Sequence, residues 1–228
     1  MMKKRDVLVG ALLCFAGGSI DGYSFVMRGG VLATAQTANL LLLGIHLSNA
    51  NINRALSYLV PILCFMMGTY LAKLAYDKLF TGNMIRWQEG VLLTEIVVFI
   101  AIGFLKENVS DMLVNSGISF FSAMQYCAFR SFGDNAPYAT VFSTGNMRSL
   151  IDNLYEGIMR RDAASLKRTA GYGIMLVSFA SGAAGSNLLC RVVTYRACWL
   201  VSTVLLSVLI LIRVISLKSK EIVIDRKF

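Results

Sequence analysis

Gly30-Val31-Leu32-Ala33-Thr34-Ala35-Gln36-Thr37-Ala38-Asn39-Leu40-Leu41-Leu42-Leu43-Gly44 sets a Thr-x-Asn core inside an apolar run. Pro137-Tyr138-Ala139-Thr140-Val141-Phe142-Ser143-Thr144-Gly145-Asn146-Met147-Arg148-Ser149-Leu150 does so again. Thr37 pairs with Thr144 and Asn39 with Asn146 at a common offset of 107, a little under half of the 228-residue chain. Each stretch follows a long apolar segment that ends in a charged, glycine-containing turn. A polar motif that recurs once per half of so apolar a chain is the place to look for function.

Hydrophobic residues make up 56% of the chain and charged ones 15%, and mean hydropathy is +0.63. A soluble domain carries roughly 25% charged residues, so there is too little polar surface to coat a globule. The composition implies an integral membrane protein of the all-α class. The net charge of +9 comes from short basic flanks between apolar runs. That pattern suits membrane orientation, and no nucleic-acid partner is expected. The five cysteines fall in or beside apolar segments, with no C-x-x-C pair and no histidine cluster. They read as small apolar filler, with neither a disulfide framework nor a metal site implied.

Lys3, Lys4 and Arg5 precede an apolar run from Val7 to Met27, longer than the roughly 7–15 residues of a signal-peptide core. It reads as an uncleaved first span. Further spans follow near 55–76, 90–105, 112–132, 169–189 and 197–215, giving one membrane domain, residues 1–228, with repeats at about 7–106 and 112–215. Phe65-Met66-Met67-Gly68 and Phe179-Ala180-Ser181-Gly182 match at an offset of 114, so the repeat slips by seven residues between motif and following span. With the N-terminus inside, 16 of the 22 lysines and arginines lie inside and five (Arg28, Arg54, Lys106, Arg191, Arg196) outside, leaving Arg130 within a span. This bias obeys the positive-inside rule with both termini cytoplasmic. Three spans per half then force the halves into opposite orientations, the inverted-repeat plan of many transporters.

At about 17 mostly apolar residues, 31–47 lies at the short limit for a span. If both motif stretches crossed fully, there would be eight spans, parallel halves and a poorer charge bias. Re-entrant or broken segments after spans one and four are therefore expected, entering from opposite faces. Thr and Asn supply both donors and acceptors for uncharged polar coordination, and Gly145 permits close backbone approach. The competing reading is that the two motifs only hydrogen-bond neighbouring helices. Among intramembrane polar groups, Asp21 leads for a proton- or cation-linked role, otherwise ending its span, and Gln125 and Arg130 lie in the fourth span. Asp21 and Arg130 sit at different depths, which argues against a direct ion pair. Arg130 and Glu95 are expected near the interface, and His46 in solvent.

Gly18-Ser19-Ile20-Asp21-Gly22-Tyr23, Gln125-Tyr126-Cys127-Ala128-Phe129-Arg130 and Pro137 through Asn146 resemble the YoaK-like family of uncharacterised bacterial inner-membrane proteins (DUF1275). The resemblance covers essentially the whole chain and implies the same six spans in the inner membrane. Thr37-Ala38-Asn39 departs from the Thr-Gly-Asn usual in that family. No activity follows from the resemblance.

The leading expectation is a small secondary transporter or permease for a small molecule or ion. Its polar path would comprise Gln36, Thr37, Asn39, Gln125, Thr144 and Asn146, with Asp21 as a coupling site. The alternative is a non-transporting scaffold or subunit of a membrane complex. Catalysis is not expected: there is no H-E-x-x-H, no Cys–His pairing and no facing aspartates. No cofactor is implied, the lipid bilayer is the first partner, and a homo-oligomer is left open.

Overall fold

The computed structural model describes residues 4–106, 108–129 and 143–225. Among them the chain is helical, without strands: α1 (Lys4–Met27), α2 (Gln36–Ser48), α3 (Ile52–Ala75), α4 (Met84–Ile102), α5 (Asp111–Ala128), α6 (Ser143–Met159), α7 (Ala163–Val193) and α8 (Trp199–Asp225). A π-helical turn, Tyr76–Phe80, continues α3, and a 3-10 turn, Thr194–Cys198, joins α7 to α8. Polar caps start several helices, each satisfying backbone donors that have no intrahelical partner. Asn51 accepts from the Arg54 amide and Asn83 from the Arg86 amide, while Asp162 accepts from Ala164 and Ser165. The Asn83 cap starts α4 at Met84, six residues before the expected Gly90. α1 runs through Asp21 to Met27, so Asp21 does not end its helix.

Among the described residues, three stretches are long and apolar enough to cross a membrane: Arg5–Met27, Ile52–Phe80 and Ala163–Leu217. The third, at 55 residues, exceeds twice the roughly 20 needed for one crossing and bends at the 3-10 turn. α4 and α5 are too polar in composition to join them, yet much of their polar content faces inward. Asn115, Ser116, Ser119, Ser122 and Gln125 of α5 are all buried, as are Gln88 and Glu95 of α4.

α1 packs on α7, α3 on α5, α4 on α8, α2 on α3, α6 on α7, α1 on α8 and α4 on α5. Exchanging α1, α2, α3 and α4 with α5, α6, α7 and α8 leaves this set of pairs unchanged. The closest approaches match too. Gly68 of α3 lies under the Phe120 carbonyl of α5, as Gly182 of α7 lies under the Phe15 carbonyl of α1. At these crossings only glycine fits. The main core, with Leu13, Ile20, Leu92, Phe99, Ile118 and Leu205, lies among α1, α4, α5 and α8.

Polar contacts tie the helix ends into two groups. At one end Arg28, fully buried, donates from Nη2 to the Leu105 carbonyl at 2.6 Å and lies 4.4 Å from the Tyr195 ring. Its Nη1 reaches the Lys106 carbonyl and Asp111 Oδ1, each at 3.5 Å. Here α1 and α4 end, α5 begins, and α7 turns into α8. At the other end Gln88 Nε2 donates to the Ala128 carbonyl at 3.0 Å, and Arg213 meets Glu89 at 3.2 Å.

Candidate functional site

The first motif stretch folds as a hairpin against α1. Gly29 and Gly30 adopt φ of 79° and 75°, a region that costs glycine nothing, and reverse the chain after Arg28. The returning strand is then held at successive levels of α1. The Ala33 amide donates to Ser24 Oγ at 3.2 Å. The Thr34 amide and hydroxyl donate to the two carboxyl oxygens of Asp21 at 2.8 and 2.7 Å. From Arg28 back to Asp21 is about 10 Å of helix rise. α2 starts at that depth and climbs back to the end where Arg54 Nη2 meets the Gly29 carbonyl at 2.6 Å. The hairpin enters and leaves by the same end of the molecule.

Asn39 braces this hairpin. Its Nδ2 donates to the Leu32 carbonyl at 2.7 Å and its Oδ1 accepts from the Leu32 amide at 3.2 Å. One side chain thereby satisfies both backbone groups of a residue outside any helix, as buried backbone requires. Nδ2 also meets Gln36 Oε1 at 3.1 Å. Gln36 Nε2 in turn donates to the Ala33 carbonyl at 2.8 Å and approaches Ser119 Oγ of α5 at 3.5 Å.

α6 begins at Ser143 as α2 begins at Gln36, so Thr144 and Thr37 are each second, and Asn146 and Asn39 each fourth, in their helices. Both asparagines are buried. The two helix starts reach a common cavity of about 550 Å³. Thr37 and Ala38 line it from one motif, Ser143 and Thr144 from the other, and Asp21 and Gly22 from α1. Leu32, Phe179 and Ala183 complete a mostly apolar wall. The volume lies within the range of small-molecule sites.

A family model described as a protein of unknown function (DUF1275) matches residues 9–211, from α1 into α8. The chain belongs to the DUF1275 family. Comparison with curated proteins and with solved structures yields no match.

Within this DUF1275 chain the residues read from the sequence divide into three groups. Asp21, Thr37 and Thr144 meet at the cavity, with Gly145 following in the first turn of α6. Gln36 and Asn39 are absent from the cavity wall and hold the hairpin instead. Asn146 is buried and also absent from the lining. Gln125 lies elsewhere, in the interior face of α5, fully buried and, among the described residues, without a hydrogen-bond partner for its amide. Arg130 and 137–142 lie outside the described residues. One further expectation changes: Glu95 lies eleven residues past the start of α4 and is fully buried, deeper along its helix than hydropathy indicated. His46, in the last turn of α2, stays partly exposed and stacks on Tyr58 with ring centroids 5.5 Å apart. The sequence reading missed Thr34, the partner of Asp21, and Ser24.

Proposed function

We propose that this DUF1275 chain is a small secondary transporter or permease of the bacterial inner membrane. In this reading six spans form two inverted three-helix repeats, the hairpins after spans one and four are re-entrant, and both termini are cytoplasmic. The observation that carries it is the shared cavity where the starts of α2 and α6 meet beside Asp21. Transporters built from inverted repeats bind substrate near mid-membrane, where broken helices begin. Irregular backbone at that depth is tolerated when buried in protein or lining a cavity, and the hydrogen bonds from Thr34 and to Asn39 supply that burial. The packing pattern, unchanged by exchange of the halves, supports the repeat. The sorting of helix ends supports the six-span path.

The solute would be a small molecule with a largely apolar body and one or two hydrogen-bonding groups for Thr37, Ser143 and Thr144. The test is a solute-induced thermal-shift screen on purified protein, followed by uptake of the hits into liposomes. Thr144→Trp, which fills the cavity from an exposed position, is expected to abolish uptake while leaving the fold intact. Unchanged uptake in that variant would sink the proposed site. The scaffold reading draws on one observation, the engagement of Asn39 in bracing rather than lining. It requires that no solute bind at the cavity and that a partner protein co-purify regardless of Thr144→Trp.

A further inference from the structure

A second cavity, of about 800 Å³, opens at the end of the molecule where Arg28 is buried. Lys106, Asn108 and Arg196 contribute polar groups to its lining, while Phe104 and Val192 contribute apolar ones. The basic groups at this end fall into two kinds. Arg28 and Arg54 are pinned to main-chain carbonyls. Lys106 and Arg196 are exposed and, among the described residues, form no ion pair. Both are among the few basic residues on the side that the positive-inside rule leaves poor in lysine and arginine, yet they share one cavity.

The surroundings indicate a membrane boundary. Phe104 stacks edge-on against Trp199 with ring centroids 5.3 Å apart, and Arg196 lies 5.7 Å from the Trp199 ring. Tyr195 adds a third aromatic side chain, making the kind of belt that marks the headgroup level. Val192 is 79% and Phe104 65% exposed, offering apolar contact to a chain that extends toward the hydrocarbon. Two cations that form no ion pair among the described residues, set above an apolar wall, match a phosphate with an acyl tail better than a headgroup without net charge.

We propose that this cavity binds the headgroup of an anionic phospholipid, its phosphate between Lys106 and Arg196 and an acyl chain along Phe104 and Val192. The proposal needs this end to lie at a membrane surface and does not depend on transport. Free phosphate offers the same charge, so the two sources must be separated.

The experiment is native mass spectrometry of the full chain in neutral detergent. It is titrated with phosphatidylglycerol, phosphatidylcholine of the same acyl chains, or glycerol 3-phosphate. One phosphatidylglycerol is expected to be retained in preference to phosphatidylcholine, by about fivefold per basic group at low salt, with the preference shrinking as salt rises. Lys106→Gln/Arg196→Gln changes two exposed side chains and is expected to erase the preference without altering the unfolding temperature. Arg160→Gln/Arg161→Gln removes the same charge from the opposite end and is expected to leave it intact. Equal retention of the two lipids overturns the proposal. So does a preference that survives the first double variant, or that falls equally in the second. Glycerol 3-phosphate binding as tightly as phosphatidylglycerol overturns the lipid as the source.

Discussion

Alanine at Gly18 or Gly182 tests the crossing of α1 and α7 directly. A Cβ on Gly182 would stand 2.9 Å from the carbonyl carbon of Phe15, and one on Gly18 2.8 Å from that of Phe179, where ordinary contact begins at 3.4 Å. The carbonyl oxygens stand closer still, so the helices must part by more than about 0.5–0.6 Å at the crossing. A gap of at least this size forfeits roughly a quarter to a half of the dispersion energy of the contacts it opens. It also stretches the 3.1 Å bond from Ser19 Oγ to the Gly182 carbonyl beyond hydrogen-bonding distance. Overpacking of this kind costs about 1–3 kcal/mol. Because one separation relieves both clashes, the second alanine should cost less than the first. The assay is a double-mutant cycle on unfolding of the purified protein, with coupling of at least about 0.5 kcal/mol expected. Gly44→Ala, with nothing near its Cβ, is the neutral or stabilising control. Either single alanine within about 0.5 kcal/mol of wild type, or a strictly additive pair, would refute the geometry.

Other perturbations separate bracing from lining. Asn39→Ala strips both partners from the Leu32 backbone and should destabilise by about 1–3 kcal/mol, read as faster proteolysis within 30–36. Thr37→Ala, at an exposed position, should stay within about 0.5 kcal/mol in unfolding yet weaken solute binding at the cavity. Asp21→Asn keeps an acceptor for the Thr34 amide while removing the titratable group. Its thermal stability should hold while any pH dependence of uptake disappears, whereas Asp21→Ala should lower both stability and uptake. At Asp162, bonds from Ser165 and Ala164 hold the carboxyl below its usual range. A depressed carboxyl stabilises the folded form above the unfolded value near about 3.9 and loses that contribution as pH falls through the folded one. Amide protection at the start of α7, taken relative to the intrinsic exchange rate, should therefore drop below about pH 4, and Asp162→Asn should flatten that drop.

The repeat of Thr-x-Asn was legible because both copies keep the same helical register. Residues two apart on a helix point in different directions, which is why Thr37 lines the cavity while Asn39 turns back to the Leu32 backbone. Glu95 was misplaced in depth. Its depth was measured from where hydropathy rises, whereas the helix starts at the Asn83 cap, and 84–89 are polar turns that still belong to it. Arg28 looked like a loop charge and is, among the described residues, the largest fully buried side chain. Nothing local signals that, because its acceptors come from Leu105, Lys106 and Asp111, distant in sequence. The α4 and α5 segments gave a weak hydropathy signal for the same reason that they matter: their buried polar residues lie on faces turned inward.

The pairing of α1 with α7 also sets a timetable for synthesis. Gly68 needs Phe120, only 52 residues later, but Gly18 needs Phe179, 161 residues later. At roughly 5–20 residues per second, the first helix waits on the order of 8–30 s for its glycine-lined partner. During that wait Gly18 and Gly22 expose a bare strip of backbone to lipid or to any passing helix. A chain stopped after α6 would carry a closed α3–α5 pair and an orphaned α1, the form that membrane quality control would be expected to recognise first.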